Sequence, residues 1–383
     1  MVGRILRILL LACVLSACLS ISVAAEDTLD CADEYKEMLE VLPDDIAELL
    51  PDELFSDKIS DINKGAEKVL SFKYLLGIFA KYVGFEAKNV IKLFAVMLGI
   101  LILSSIINSV KSSFSSDGIS STFSLISTGA IILIAFSSGY SVISSVTAFF
   151  SRLGIFASSL LPLTAVLYAM GGNVASAVAH HSSLMIFIQM VEALCARSAM
   201  PIASVCMAFA SVNAVSPDLN LGELTGFFKK SYTQVLTLLM TVFMTVMGAQ
   251  SLLAGKADTI SGKAAKLAIG NLIPTVGGAL SGSLGTVAAS VEYIRASVGA
   301  IGIVIIILML LPTLITLILT KLAFGMLSGA AEILGCEREK RIISELASIN
   351  GFLLALAAIC SVCMIFIITL FVKCSSAAGG GVI

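Results

Sequence analysis

The chain has no tryptophan and only two histidines, the adjacent His180 and His181. That supply excludes a metal centre built on several imidazoles from this chain alone. Charge is also scarce: Asp, Glu, Lys and Arg make up 13% of the 383 residues, against about 25% in soluble globular domains. The formal net charge of −2 leaves no basic excess to neutralise phosphates, so nucleic acid is not an expected partner. No HExxH, GxSxG, Walker or two-Cys/two-His arrangement occurs, so no enzyme activity, catalytic residue, metal or cofactor is expected. Cys360-Ser-Val-Cys363 has redox spacing, yet Val, Ile and Phe surround it, which favours packing. The nine cysteines imply no disulfide framework.

What fills the chain instead is apolar: 58% of residues are hydrophobic and the mean hydropathy is +1.02. No water-soluble domain of this length hides so much apolar surface, so membrane lipid is part of its solvent. Uncharged runs at 93–110, 118–151, 153–179, 235–253, 267–291, 301–320 and 346–372 are each long enough for helices crossing about 30 Å of hydrocarbon. Two shorter stretches, 182–191 and 198–215, are separated by Glu192 and Arg197. No alternating barrel pattern appears, and lipid offers open backbone groups no partner. The fold class is therefore all-α, a polytopic helical membrane protein of about seven to nine membrane segments. Lys229-Lys230 and the cluster of Arg338, Lys340 and Arg341 belong on the cytoplasmic side. Lys256, Lys263 and Lys266 favour that side too, which makes one Pro/Gly-broken segment a candidate re-entrant loop.

Residues 1–25 carry Arg4 and Arg7, an uncharged run and Val23-Ala24-Ala25, the pattern of an export signal peptide or retained signal anchor. Leu15-Ser16-Ala17-Cys18 is also a lipoprotein-type box, with Cys18 as its lipidation site, and the two readings stay open. Residues 26–88 form an acidic extracytoplasmic segment. Its first part, 26–70, holds 15 of the 26 acidic residues against four lysines. Leu39, Leu42, Ile46, Leu49 and Leu50 recur there at helical spacing, which predicts short amphipathic helices and a stripe able to dock another extracytoplasmic protein. Residues 89–373 form the membrane domain, and 374–383 a flexible tail.

Landmarks recur at an offset of about 112 residues: Leu160-Leu161-Pro162 with Leu272-Ile273-Pro274, Gly172–Ala175 with Gly285–Ala288, and Pro201 with Pro312. An internal repeat of interrupted helices would be transporter-like. Gly278-x-x-x-Gly282 and Gly325-x-x-x-Gly329 place small residues one turn apart, which suits helix packing within the chain or in a homo-oligomer. His181, Gln189 and Glu192 share one helical face, and Glu292 with Arg295 follows at about the repeat offset. Polar groups at membrane depth are functional candidates by default, so these five residues form a candidate pore or polar belt.

The stretches Leu160–Asn173 and Asn271–Gly285, with Glu337-Arg338-Glu339-Lys340 before the last span, resemble the stage III sporulation protein AE family. The resemblance implies a polytopic subunit of a channel or secretion-like complex between mother cell and forespore. In that setting the chain would sit in the mother-cell membrane facing the forespore and work with other stage III sporulation membrane proteins. It would support forespore development and late forespore transcription-factor activation. The alternative from a different class is a secondary transporter with a midplane site between repeat-related broken helices.

Overall fold

Where solvent is hydrocarbon, each backbone donor and acceptor must be satisfied within its own segment, and every regular element among the described residues is helical. The computed structural model describes residues 32–42, 44–56, 59–111, 117–215, 221–272 and 277–373. The expected signal, Cys18 and the tail lie outside them. Short helices α1 (Ala32–Glu40), α2 (Asp44–Ala47) and α3 (Ile59–Leu70), with a 3-10 turn at Asp52–Phe55, precede the long ones. These are α4 (Phe72–Lys111), α5 (Asp117–Met170), α6 (Val174–Met190), α7 (Met200–Val215), α8 (Leu221–Leu272), α9 (Gly277–Ile333) and α10 (Glu337–Lys373). A π-helical stretch, Val191–Ala199, joins α6 to α7 as one rod.

Among the described residues, six helical stretches are long and apolar enough to cross a membrane: Lys73–Ile107, Ile126–Met170, Val174–Val215, Leu221–Ala264, Ile294–Ile333 and Glu337–Lys373. The protein is an all-helical, multi-pass membrane protein. Its segment boundaries differ from those expected. Arg152 does not break α5, which runs for 54 residues, about 80 Å at 1.5 Å per residue. Glu192 and Arg197 do not separate two segments either, because the backbone passes through them in the π stretch. The stretch 267–291 straddles the end of α8 and the start of α9, in keeping with the bias against helix before Pro274.

Two turns use glycine in the left-handed region, Gly172 (φ 69°) after α5 and Gly335 (φ 68°) after α9. Each closes its helix with the same paired bonds. Asn173 N–H donates to Tyr168 O at 3.0 Å and Gly172 N–H to Ala169 O at 3.0 Å; Cys336 N–H donates to Ala331 O at 2.8 Å and Gly335 N–H to Glu332 O at 3.2 Å. A Cβ at either glycine would be strained, which accounts for the residue type. The repeat landmarks do not match at this point: Gly172 is a turn, whereas Gly285 lies inside α9.

Helices α9 and α10 form an antiparallel pair at the centre. A methyl group at Gly299 would overlap Val372, and one at Gly302 would meet Ile368 at 3.3 Å. These glycines, not the expected Gly325 and Gly329, set the close approach; the latter two face open space. Gly278 and Gly282 lie in α9, and their surroundings are outside the described side chains. At mid-length, Cys360 Sγ lies 3.1 Å from Cys195 Sγ on the π stretch. The Tyr232 and Phe352 rings meet at 5.8 Å, and a Cβ at Gly248 would sit 3.7 Å from Phe366, so α8 runs parallel to α10.

These contacts fix the two ends of the bundle. Lys229 pairs with Glu345, so the two expected basic clusters lie at one end. Lys256 and Lys263 lie at the other end of α8, together with the α5–α6 turn, since Asp258 bonds to the start of α6. At that far end Tyr74, near the start of α4, donates a hydrogen bond to Leu49 O. The acidic segment therefore packs opposite the Arg338–Arg341 end. Its apolar stripe is covered within the chain: Leu39, Leu42, Ile46 and Leu50 are buried and Leu49 half-buried, and Tyr35 donates to Leu54 O at 3.1 Å. Burial holds the Tyr35 phenol well above its usual pKa. A stripe consumed in this way is not free to dock another protein.

Candidate functional site

Serine and threonine in an apolar helix usually return their hydroxyl to the carbonyl one turn back, because nothing else in hydrocarbon accepts it. On α8, Thr233, Thr237, Thr241 and Thr245 all do so, at 2.7–2.8 Å. Six described serines of α5 depart from this habit, Ser144 and Ser151 among them, and the other four share one groove. Ser137, Ser141 and Ser145 recur every fourth residue along one face, with Ser138 beside them, and all four line an open groove of about 460 Å³ between α4, α5 and α9. Their hydroxyls have no hydrogen-bond partner among the described residues. From α4 come Glu86 and Asn89, and from α9 Thr316 and Thr320. Thr316 donates to Pro312 O at 3.0 Å and Thr320 to Thr316 O at 2.6 Å. Asn350 Nδ2 donates to Thr320 Oγ1 at 2.9 Å and fixes the inner wall. The polar lining is thus one carboxylate, one carboxamide and six hydroxyls, with no basic group. Sequence reading missed this site; the signals were the four-residue spacing in α5 and its echo in Thr316 and Thr320.

Three other carboxylates in the long helices, Glu345, Glu339 and Asp258, tie one helix to another, while Glu223, exposed near the start of α8, has no hydrogen bond or ion pair among the described residues. Glu345 accepts from Lys229 Nζ at 2.5 Å and from Thr225 at 3.1 Å, and Lys229 also donates to Ser348 at 2.8 Å. Glu339 is 1% exposed and accepts from Ser104 at 2.9 Å and Ser127 at 2.6 Å. Asp258 accepts the backbone N–H groups of Ala175 at 2.9 Å and Ser176 at 2.8 Å. It caps α6 from another helix, where a negative charge complements the helix dipole. Glu86 has no hydrogen bond or ion pair among the described residues.

The five residues expected to form a polar belt are not gathered at one place. His181, Gln189 and Glu192 lie on the outward face of α6 and the π stretch, all exposed. Glu192 pairs with Arg197 at 2.5 Å, with side chains 57% and 75% exposed respectively. Arg295 is fully buried: its guanidinium lies 4.2 Å from the Tyr168 ring centroid, and Nη2 donates to Leu167 O at 3.0 Å. Its histidine neighbour is His180, packed between Tyr168 and Phe371 at 5.6 and 5.3 Å. Gly171 makes room for it, since a Cβ there would lie 2.8 Å from Arg295 Nη2. The Glu292 side chain lies outside the described set. In the π stretch, Tyr232 donates to Leu194 O and Ser198 to Ala193 O, which engages carbonyls in a helix whose bonding pattern is widened.

Comparison with known proteins gives one consistent result. The family model described as stage III sporulation protein AE matches residues 54–377. A curated relative, stage III sporulation protein AE of Bacillus subtilis (strain 168), is 23% identical over 176 residues, 46% of this chain and 44% of the relative. The aligned region thus spans less than half the length of that relative. No solved structure matches the chain.

Proposed function

We propose, on the premise that the chain belongs to the stage III sporulation protein AE family, that it is a polytopic subunit of a sporulation-specific channel or secretion-like complex between mother cell and forespore. Membership in a family of sporulation membrane proteins is the observation that carries this reading. In it, residues 1–25 direct export, the acidic segment from residue 26 faces the space between the two membranes, and the Lys229 and Arg338–Arg341 end faces the mother-cell cytoplasm. The acidic segment lies opposite the Lys229 and Arg338–Arg341 clusters, which supports that orientation, while Lys256 and Lys263 lie at the acidic end against their expected side. The partners are other stage III sporulation membrane proteins, with a homo-oligomer within the complex as a further element. The protein supports forespore development and late forespore transcription-factor activation without catalysis of its own.

Deletion of the gene tests this. Vegetative growth should be normal and development should stop after engulfment. A growth defect in cells that do not sporulate would instead favour a housekeeping transporter.

A further inference from the structure

Glu86 is a carboxylate on α4, seven residues before the uncharged run that begins at 93, and it has no cationic partner among the described residues. A half-buried carboxylate without a protein partner is held ionised by water or by a counter-ion. The groove supplies both routes. It is open, about 460 Å³ in volume, enough for on the order of ten waters. Its polar lining offers oxygen from Glu86, Asn89, four serines and two threonines, the ligand type that suits hard cations. No group of three or more His, Cys, Asp or Glu able to hold a metal ion occurs among the described residues. A stripped divalent ion therefore has no cage here, whereas an ion that keeps its water has both room and hydroxyl partners. Lys88 and Lys92, exposed on α4, are not part of the lining.

We propose that the groove between α4, α5 and α9 is a water-filled site that collects hydrated small cations and repels anions, with Glu86 supplying the charge and the unpaired hydroxyls of Ser137, Ser141 and Ser145 the water contacts. The site goes beyond the conduit reading and does not depend on it: charge selection at the groove holds whether or not the chain works within a complex. A failure here and a failure of the sporulation phenotype are therefore distinguishable.

The test is thiol accessibility in the full-length protein in native membranes. Ser141→Cys places a reactive group in the groove, and the parent chain sets the background from its own cysteines. Positively and negatively charged methanethiosulfonate reagents of similar size are compared, each rate divided by the same reagent's rate with a small thiol in solution. Both should react, and the cationic reagent should be favoured by about tenfold, the scale of one carboxylate acting at close range through a partly aqueous path. Adding Glu86→Gln should bring the ratio to about one, while Glu86→Asp, with the same charge, should retain most of it. Membrane abundance of each variant is followed by immunoblot. No reaction with either reagent would show a dry groove and overturn the proposal. A cationic preference that survives Glu86→Gln, no preference in the parent groove, or an anionic preference would overturn it as well.

Discussion

The pair Lys229–Glu345 joins α8 to α10 where the uncharged runs of both helices begin, and it offers the sharpest energetic test of the bundle. Its side chains are 7% and 17% exposed, and the charged atoms are 2.5 Å apart. Lys229 has one further partner, Ser348 at 2.8 Å, and Glu345 has Thr225 at 3.1 Å. Removing the carboxylate by Glu345→Leu leaves a buried ammonium with a single neutral acceptor, and removing one member of such a pair costs about 3–5 kcal/mol. Lys229→Met leaves the carboxylate with one hydroxyl and should cost about as much. The double variant strands no charge, so it should be more stable than either single one, within about 2 kcal/mol of the parent. The assay is a thermal challenge of detergent-solubilised protein, followed by the fraction remaining monodisperse on size exclusion. Additive losses would refute the reasoning, since they would mean that the two groups do not depend on each other. A silent Glu345→Leu would refute it too, by showing that water reaches Lys229.

Three further outcomes can be checked in the same assay. Glu339→Gln keeps an oxygen for Ser104 and Ser127 and should be nearly silent, whereas Glu339→Leu leaves the two hydroxyls only each other, 3.1 Å apart, and should cost about 1 kcal/mol. Gly299→Ala drives a methyl into Val372 and should cost about 1–3 kcal/mol, while Gly325→Ala, in open space, should be tolerated. Asp258→Ala removes the cap of α6 and should cost about 0.5–2 kcal/mol, with Asp258→Asn recovering part of the loss; equal loss in both would assign the effect to charge rather than to hydrogen bonding.

Long uncharged runs were legible because they are one-dimensional: 93–110 falls within α4 and 346–372 within α10. Gly172, met in the sequence only as a repeat landmark within 153–179, marks a turn there for an equally local reason, since a left-handed conformation needs glycine. Charges misled where their effect depends on neighbours. Arg152, Glu192 and Arg197 look like breaks, yet an outward side chain costs the helix none of its backbone bonds. Lys229 looks like part of an exposed basic cluster, but its partner Glu345 is 116 positions away. The belt around His181 was drawn from one helical wheel, which cannot show that His180, one position earlier, is the residue turned inward toward Arg295. The groove was hidden for a third reason. Glu86, Ser141 and Thr316 come from three helices, and in so hydroxyl-rich a chain a serine that keeps its proton to itself looks the same as one that bonds backward.

The accounting of acids then separates structure from site. Glu339, Glu345 and Asp258 are each held by two or more donors, and each ties one helix to another, so their charge is balanced by the fold. Glu192 is held by Arg197 on the outer surface of the rod, a short sequence step away, and ties no helices together. Glu86 and Glu223 have no partner among the described residues; Glu223 is exposed near the start of α8, and Glu86 lines the groove. A carboxylate left in that state is stable only where solvent or a mobile cation reaches it. The open, hydroxyl-lined groove around Glu86 meets this requirement, and the closed settings of Glu339 and Glu345 do not. An unbalanced acid inside a packed core would be a defect selected against; the same acid on an aqueous groove is an affinity for positive charge.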